Sequence, residues 1–276
     1  MHKALRVAAT GTIAAMAFAT GMQQASAADW SDTSIGYRYG TKFAEPFNPK
    51  DIDKHIVNVT HASGNKYGSD FLNVDFLESD STDANAQEAY VLYRHTFDIG
   101  AISGKAVKFG PVRGVGITAG FDWNTKNDPF YASKKHMVVA GPTLMIDVPG
   151  FLNVSLLALW ESNKPVGVKS RYSYDTHAML TAAWGIPLGH GFSFEGYANF
   201  IASKGKDEFG GPTKPETNID AQIMYDLSPS LGMKPNSLKA GLEYQYWRNK
   251  FGNNAKGAAG SGAFAKTPMV RVEYHF

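Results

Sequence analysis

Along most of this chain, apolar and polar residues alternate one by one, which places them on opposite faces of extended strands. The clearest case is 267–276, T-P-M-V-R-V-E-Y-H-F, with Val270, Val272, Tyr274 and Phe276 on one face and Met269, Arg271, Glu273 and His275 on the other. Over 216–227 Thr217, Ile219, Ala221, Ile223, Tyr225 and Leu227 oppose Asn218, Asp220, Gln222, Met224 and Asp226. Over 238–247 Leu238, Ala240, Leu242, Tyr244 and Tyr246 oppose Lys239, Gly241, Glu243, Gln245 and Trp247.

The pattern predicts twelve strands, at 34–43, 55–62, 66–79, 87–98, 112–123, 136–147, 152–161, 171–188, 192–203, 216–227, 238–247 and 267–276. Most have about ten residues, the length with which a tilted strand crosses a bilayer. Recurring oily faces with no helical segment to cover them point to lipid as their solvent, so the expected fold is all-β, a twelve-stranded antiparallel transmembrane β-barrel. Long polar connections at 44–54, 80–86, 124–135, 162–170, 204–215 and 248–266 alternate with shorter ones at 63–65, 148–151, 189–191 and 228–237. That is the outer-membrane arrangement with both termini periplasmic. Only 99–111 departs from it, being long where a short turn is expected. Aromatic residues gather near strand ends, as interfacial girdles do.

The first residues carry Lys3 and Arg6, a small apolar run, and Ala25-Ser26-Ala27. Such a segment reads as a secretory signal peptide over 1–27, leaving a barrel over 28–276 in the outer membrane of a Gram-negative cell. Later apolar runs fall short of the roughly 18 residues of a membrane helix. The mean hydropathy of −0.25 suits a barrel with a polar lumen as well as a soluble protein. Zero cysteines exclude disulfide and thiolate chemistry, and a net charge of +2 gives no reason to expect nucleic acid. No cofactor or metal is expected, since the eight histidines lack ligand spacing. Gly114-Val115-Gly116 lacks the following helix of a dinucleotide loop.

The strand-and-turn segments Phe97-Asp98-Ile99, Phe109-Gly110-Pro111, Gly141 with Ile146-Asp147-Val148-Pro149-Gly150, 155–160, 174–200 and Tyr244-Gln245-Tyr246-Trp247 resemble the nucleoside-specific channel-forming Tsx family. The resemblance is close from Phe97 onward and loose before it. It implies a twelve-stranded barrel whose narrow pore passes nucleosides and similar small solutes. The family's long fourth connection also matches the long 99–111 segment. No site residue carries over from it.

From the polar faces, the candidate lumen residues are Phe71, Asn73, Asp75, Tyr90, Arg94, Glu195, Tyr197, Asn199, Asp220, Gln222, Lys239, Glu243, Gln245, Trp247, Arg271 and Glu273. Glu88, Asp175 and His177 share the same faces. Mixed charges, amides and rings suit a neutral hydrogen-bonding solute, although the same groups also serve as structural ladders that neutralise one another. The expected partners are nucleosides or similar solutes, outer-membrane lipid, and assembly machinery that reads the last strand ending in Phe276.

Two other functions stay open. His61 and Ser63 share a strand face and resemble the H-x-S segment of outer-membrane lipid hydrolases, but they fall at a periplasmic turn, and no enzyme activity is expected. A non-conducting adhesin or phage-receptor barrel is the third reading. The Gly/Ala-rich 255–263 stretch is either a mobile loop or a constriction folded into the pore.

Overall fold

The computed structural model describes residues 28–276; the expected signal peptide lies outside them. Twelve strands form the ring: β1 Trp30–Glu45, β2 Asn48–Asn65, β3 Gly68–Ser79, β4 Gln87–Asp98, β5 Val112–Lys126, β6 His136–Ile146, β7 Phe151–Asn163, β8 His177–Gly189, β9 Phe192–Ile201, β10 Glu216–Asp226, β11 Leu238–Arg248 and β12 Phe264–His275. Each pairs antiparallel with its sequence neighbours, and β1 pairs with β12 from Ser34↔His275 to Tyr39↔Val270, which closes the ring. A two-residue extended segment, Tyr172–Ser173, adds to the end of β7. No described helix is long and apolar enough to cross a membrane, so any crossing is made by strands.

The alternation of β11 sets the two solvents apart: Leu242 is 68% exposed and its neighbour Glu243 is 2% exposed. Around the ring Val138, Leu156, Ile223 and Val270 face outward with Leu242. Arg38, Asn58, Thr143, Asp220 and Glu243 face inward and are buried. This is a sheet turned inside out relative to a soluble domain, with hydrocarbon outside and a polar interior. Aromatic rings border the apolar band, with Phe97, Phe192, Tyr225, Tyr274 and Phe276 at one end and Trp123, Trp160, Phe200 and Tyr244 toward the other.

Two glycines make inward space. A Cβ on Gly36 would lie 2.4 Å from Asn58 Oδ1, so the amide lies over β1 only because position 36 is bare. A Cβ on Gly120 would come 2.8 Å from Arg94 Cδ, so that glycine lets Arg94 lie along the wall toward Asp122.

The element boundaries differ from the sequence reading in several places: the expected turn at 63–65 is the end of β2, paired with β3, and Lys66-Tyr67 makes the turn, while β12 begins at Phe264 inside the expected 248–266 connection. The expected long connection over 44–54 is a tight hairpin instead, with only Pro46-Phe47 between β1 and β2 and Glu45 pairing with Asn48. Its Pro, Lys and Asp content reads as loop, yet Phe43, Ile52 and Ile56 bury against Met269 inside the ring, and that packing extends the strands. The eighth strand begins at His177 and not at 171, because 171–176 folds back on β7, where Tyr174 N donates to Glu161 O at 3.0 Å. Asp175 therefore sits in a loop. The long 99–111 connection contains a short helix, Ile99–Ser103, capped where Ala101 N donates to Asp98 Oδ1 at 3.0 Å.

Because Leu242 faces hydrocarbon, Leu242→Arg is expected to destabilise the barrel by about 2–4 kcal/mol, read as a lowered urea midpoint for unfolding from liposomes. The inward change Lys239→Arg is expected to leave that midpoint nearly unmoved.

Candidate functional site: the lumen and its extracellular mouth

Strand register fixes which residues share the lumen, since antiparallel partners point to the same face. All the sequence-derived candidates lie on the inward side: Phe71, Asn73 and Asp75 on β3, Tyr90 and Arg94 on β4, Glu195, Tyr197 and Asn199 on β9, Asp220 and Gln222 on β10, Lys239, Glu243, Gln245 and Trp247 on β11, and Arg271 and Glu273 on β12. They form several hydrogen-bonded networks and no single cluster.

The central network runs across β11, β12, β1 and β3. Arg38 reaches Asp75 at 2.6 Å and Glu243 at 3.1 Å, and Arg271 bonds the other oxygen of Glu243 at 2.8 Å while also pairing with Glu273. Asn73 donates to Asp75 at 2.9 Å, and Gln245 donates to Asp220 at 3.3 Å. A second network joins Arg94 and Tyr90 to Asp122, with the Tyr90 hydroxyl donating at 2.7 Å. Nearer the periplasmic end, Glu195 accepts from Ser193 at 2.6 Å and Gln222 at 3.1 Å, and lies 3.7 Å from Lys239. A ladder of hydroxyls, Thr96, Thr118, Thr143 and Ser155, spans β4 to β7 with contacts of 2.6–2.8 Å.

Arg38, the hub of the central network, was missed by the sequence reading. Its signal was present: in Gly36-Tyr37-Arg38-Tyr39-Gly40 the two tyrosines share an outward face and Arg38 takes the other. The lumen is also less uniformly polar than expected. Phe43, Ile52, Ile56 and Met269 form one apolar patch, and Val139, Leu157, Leu159 and Met179 form another on the opposite wall. Several inward groups have no protein partner among the described residues, namely Arg38 Nε, Asn58 Oδ1, Asn153 Oδ1, His177 Nε2 and Asn218 Oδ1.

The extracellular mouth is crossed by the β11–β12 loop. Lys250 Nζ donates to Ala44 O at 2.7 Å and lies 3.3 Å from Glu45, beside Lys54 and Lys126, which reach Glu45 and Asp83. The next residue, Phe251, donates its N–H to Glu216 Oε2 at 3.0 Å and places its ring 3.9 Å from Lys135 Nζ, on the β5–β6 loop across the ring. Lys204 bridges Glu161 at 2.8 Å and Glu216 at 3.6 Å beneath this contact. Tyr131 and Tyr174 both donate to Glu208. Lys250 and Phe251, which precede the 255–263 stretch, are the residues that reach over the mouth, while that stretch itself meets the β1–β2 tip, where Phe47 N donates to Ala259 O at 3.0 Å.

These loop charges are shifted in opposite senses. Burial lowers the Lys250 pKa below its ordinary value, with Glu45 offsetting only part of that cost, and Lys135 is lowered by burial against the pull of Glu161. At Lys204 burial also opposes the charge, but Glu161 and Glu216 overcome it and raise the pKa. Burial and the neighbouring Glu161 raise the Tyr174 hydroxyl, and burial with Glu208 raises that of Tyr131, so both remain donors.

A closed ring with an apolar outer band, bordering aromatics and a charged interior defines an outer-membrane β-barrel of the bacterial type. No protein-family model and no curated protein matches the chain. Among solved structures it is similar to the KdgM porin, at 11% identity and TM-score 0.45 over 88% of this chain and 99% of that one. It is similar to the NanC porin at 11% identity and TM-score 0.49, over 89% of this chain and 99% of that one. The translocator domain of the autotransporter NalP from Neisseria meningitidis matches at 14% identity and TM-score 0.45, over 98% of this chain and 96% of that one. None of these three is a nucleoside channel.

The lipid-hydrolase pair does not assemble. His61 and Ser63 share the outward face of β2, but His61 Nδ1 lies 2.8 Å from Thr33 Oγ1, and no hydrogen bond joins it to Ser63 among the described residues.

Arg38 is 9% exposed between two carboxylates. Removing its charge by Arg38→Met is expected to cost about 3–5 kcal/mol, read as a fall in the urea midpoint. Asp75→Asn in the same chain is expected to recover part of that loss.

With the loop in place Lys250 and Lys135 bind protons less readily than in water, so the closed mouth strengthens as pH rises from their depressed values toward 10.5. Above 10.5, Lys204 loses the charge that holds Glu161, and closure weakens. The chain has no cysteine, so spin labels at Lys134→Cys and Ala258→Cys report the loop directly by electron-resonance distances. The short-distance population is expected to grow from neutral pH toward 10.5.

Proposed function

We propose that the barrel is a channel for passive uptake of small hydrogen-bonding solutes, with nucleosides as the first candidates. The observation that supports this reading most is the chemistry of the inner wall. Its charges are paired with one another, so the wall has no strong bias toward ions of one sign, while partly exposed amides such as those of Asn73, Asn199 and Gln245 remain to exchange hydrogen bonds with a permeant. The partly exposed rings of Phe71, Tyr90, Tyr197 and Trp247 suit a permeant with one flat apolar part and one hydroxylated part, as a nucleoside has.

A second reading is favoured by one feature. The β11–β12 loop reaches across the mouth to Lys135, an arrangement that also suits a non-conducting barrel whose loops bind a partner. Swelling of proteoliposomes in a panel of nucleosides, sugars and amino acids separates the two. Nucleoside entry faster than that of sugars of similar size supports the channel; no entry of any solute, even after loop release, leaves the receptor reading.

Phe251→Ala removes the ring that meets Lys135 and is expected to raise single-channel conductance severalfold in planar bilayers. An unchanged conductance would show that the loop does not limit the passage.

A further inference from the structure

Most of the outward face is aliphatic or aromatic, but at the periplasmic end of β2–β4 it turns polar. Asp70 Oδ1 accepts from the Tyr93 hydroxyl at 2.5 Å and lies 2.8 Å from His95 Nδ1, while Asp70 Oδ2 has no protein partner among the described residues. Ser63 stands opposite Asp70 in register, and His61 lies one step higher on the same face of β2. His95 Nε2 is buried without a partner, and the His95 ring packs edge-on against Phe97, with centroids 4.1 Å apart. The adjoining turn supplies Lys66, whose Nζ is 4.7 Å from the Tyr67 ring.

Depth on the barrel narrows what such a patch can meet. Phe97 and the terminal Phe276, whose N–H donates to Thr33 O at 2.9 Å, mark the interface where lipid headgroups lie. Beside the patch, at the β1–β12 seam, an outward apolar groove of about 290 Å³ is lined by Ile35, Tyr37, Val57, Val272 and Tyr274. In register Asp70 is level with Ser31 of β1, and Ile35 lies four residues further into the bilayer along that strand, so the groove begins about 17 Å from Asp70, within the length of an acyl chain. Polar patch and groove together have the layout of a headgroup seat beside an acyl-chain seat.

We propose that this face binds an ethanolamine phospholipid of the periplasmic leaflet. The free Asp70 oxygen accepts from the ammonium, Ser63, His61 and Lys66 meet the phosphate, and one acyl chain lies in the seam groove. A carboxylate is the distinguishing element, since it attracts the ammonium of an ethanolamine lipid and repels a headgroup that carries only negative charge. The proposal concerns the outer wall and does not depend on conduction through the lumen.

Native mass spectrometry of the full barrel, extracted from vesicles with equal phosphatidylethanolamine and phosphatidylglycerol, tests it. The wild-type protein is expected to retain the ethanolamine lipid at least threefold more than the glycerol lipid. Asp70→Asn is expected to abolish that preference, and Glu78→Gln, at the other end of β3, to keep it. Heat-modifiable gel mobility confirms that each variant is folded, and Val272→Trp, which fills the groove, gives an independent variant expected to lower retention of both lipids. Equal retention of both lipids by the wild type, or a preference that survives Asp70→Asn, overturns the proposal. Lysophospholipid formed by the wild type and lost in Ser63→Ala overturns it too, by making the patch a hydrolytic site.

Discussion

Hydrocarbon cannot accept or donate hydrogen bonds, so a chain that crosses it in strands must pair every edge. In this protein that demand is met at one seam, where β1 and β12 pair from Ser34↔His275 to Tyr39↔Val270. Residue alternation, strand length and the antiparallel order of neighbours follow from that closure. Once the ring is shut, each strand has one face in lipid and one in the lumen, and side-chain identity at each position is set by which of the two it meets.

The interior then has the problem that a soluble core avoids. Arg38, Asp75, Glu243, Arg271 and Glu273 lie within a few ångströms of one another and away from bulk water. None would be stable there alone; each is held by partners on neighbouring strands, so the network ties β11, β12, β1 and β3 together by side chains as well as by backbone. The charges that make the lumen polar are therefore also part of what keeps the wall in register.

How far the sequence made this legible differs by level. Strands β4, β10 and β11 were readable almost to the residue because alternation runs most of their length, broken only by residues such as Leu92 and Met224 facing inward and His95 outward, and the inward set followed from the same parity. The β1–β2 hairpin was not, since Pro46, Pro49, Lys50 and Asp51 carry loop chemistry while Phe43 and Ile52 extend the strands through tertiary packing. The mouth was less legible still. Lys250 meets Glu45, and Phe251 meets Lys135, across separations that no local pattern encodes. Arg38 was legible in principle, because its parity is opposite to that of Tyr37 and Tyr39, but nothing local marks it as the meeting point of Asp75 and Glu243.

The cover over the mouth is built from the last loop, yet it is fastened to the first hairpin: Lys250 to the Ala44 carbonyl, Ala259 to the Phe47 amide, and Gly262 so close to Glu45 O that a Cβ there would come within 1.9 Å. These three anchoring points therefore exist only after the two ends of the polypeptide have met, whereas the contacts of Phe251 with Glu216 and Lys135 do not need that closure. A half-inserted intermediate, still waiting for its final strand, would stand uncapped toward the cell exterior, and capping would report that insertion is complete.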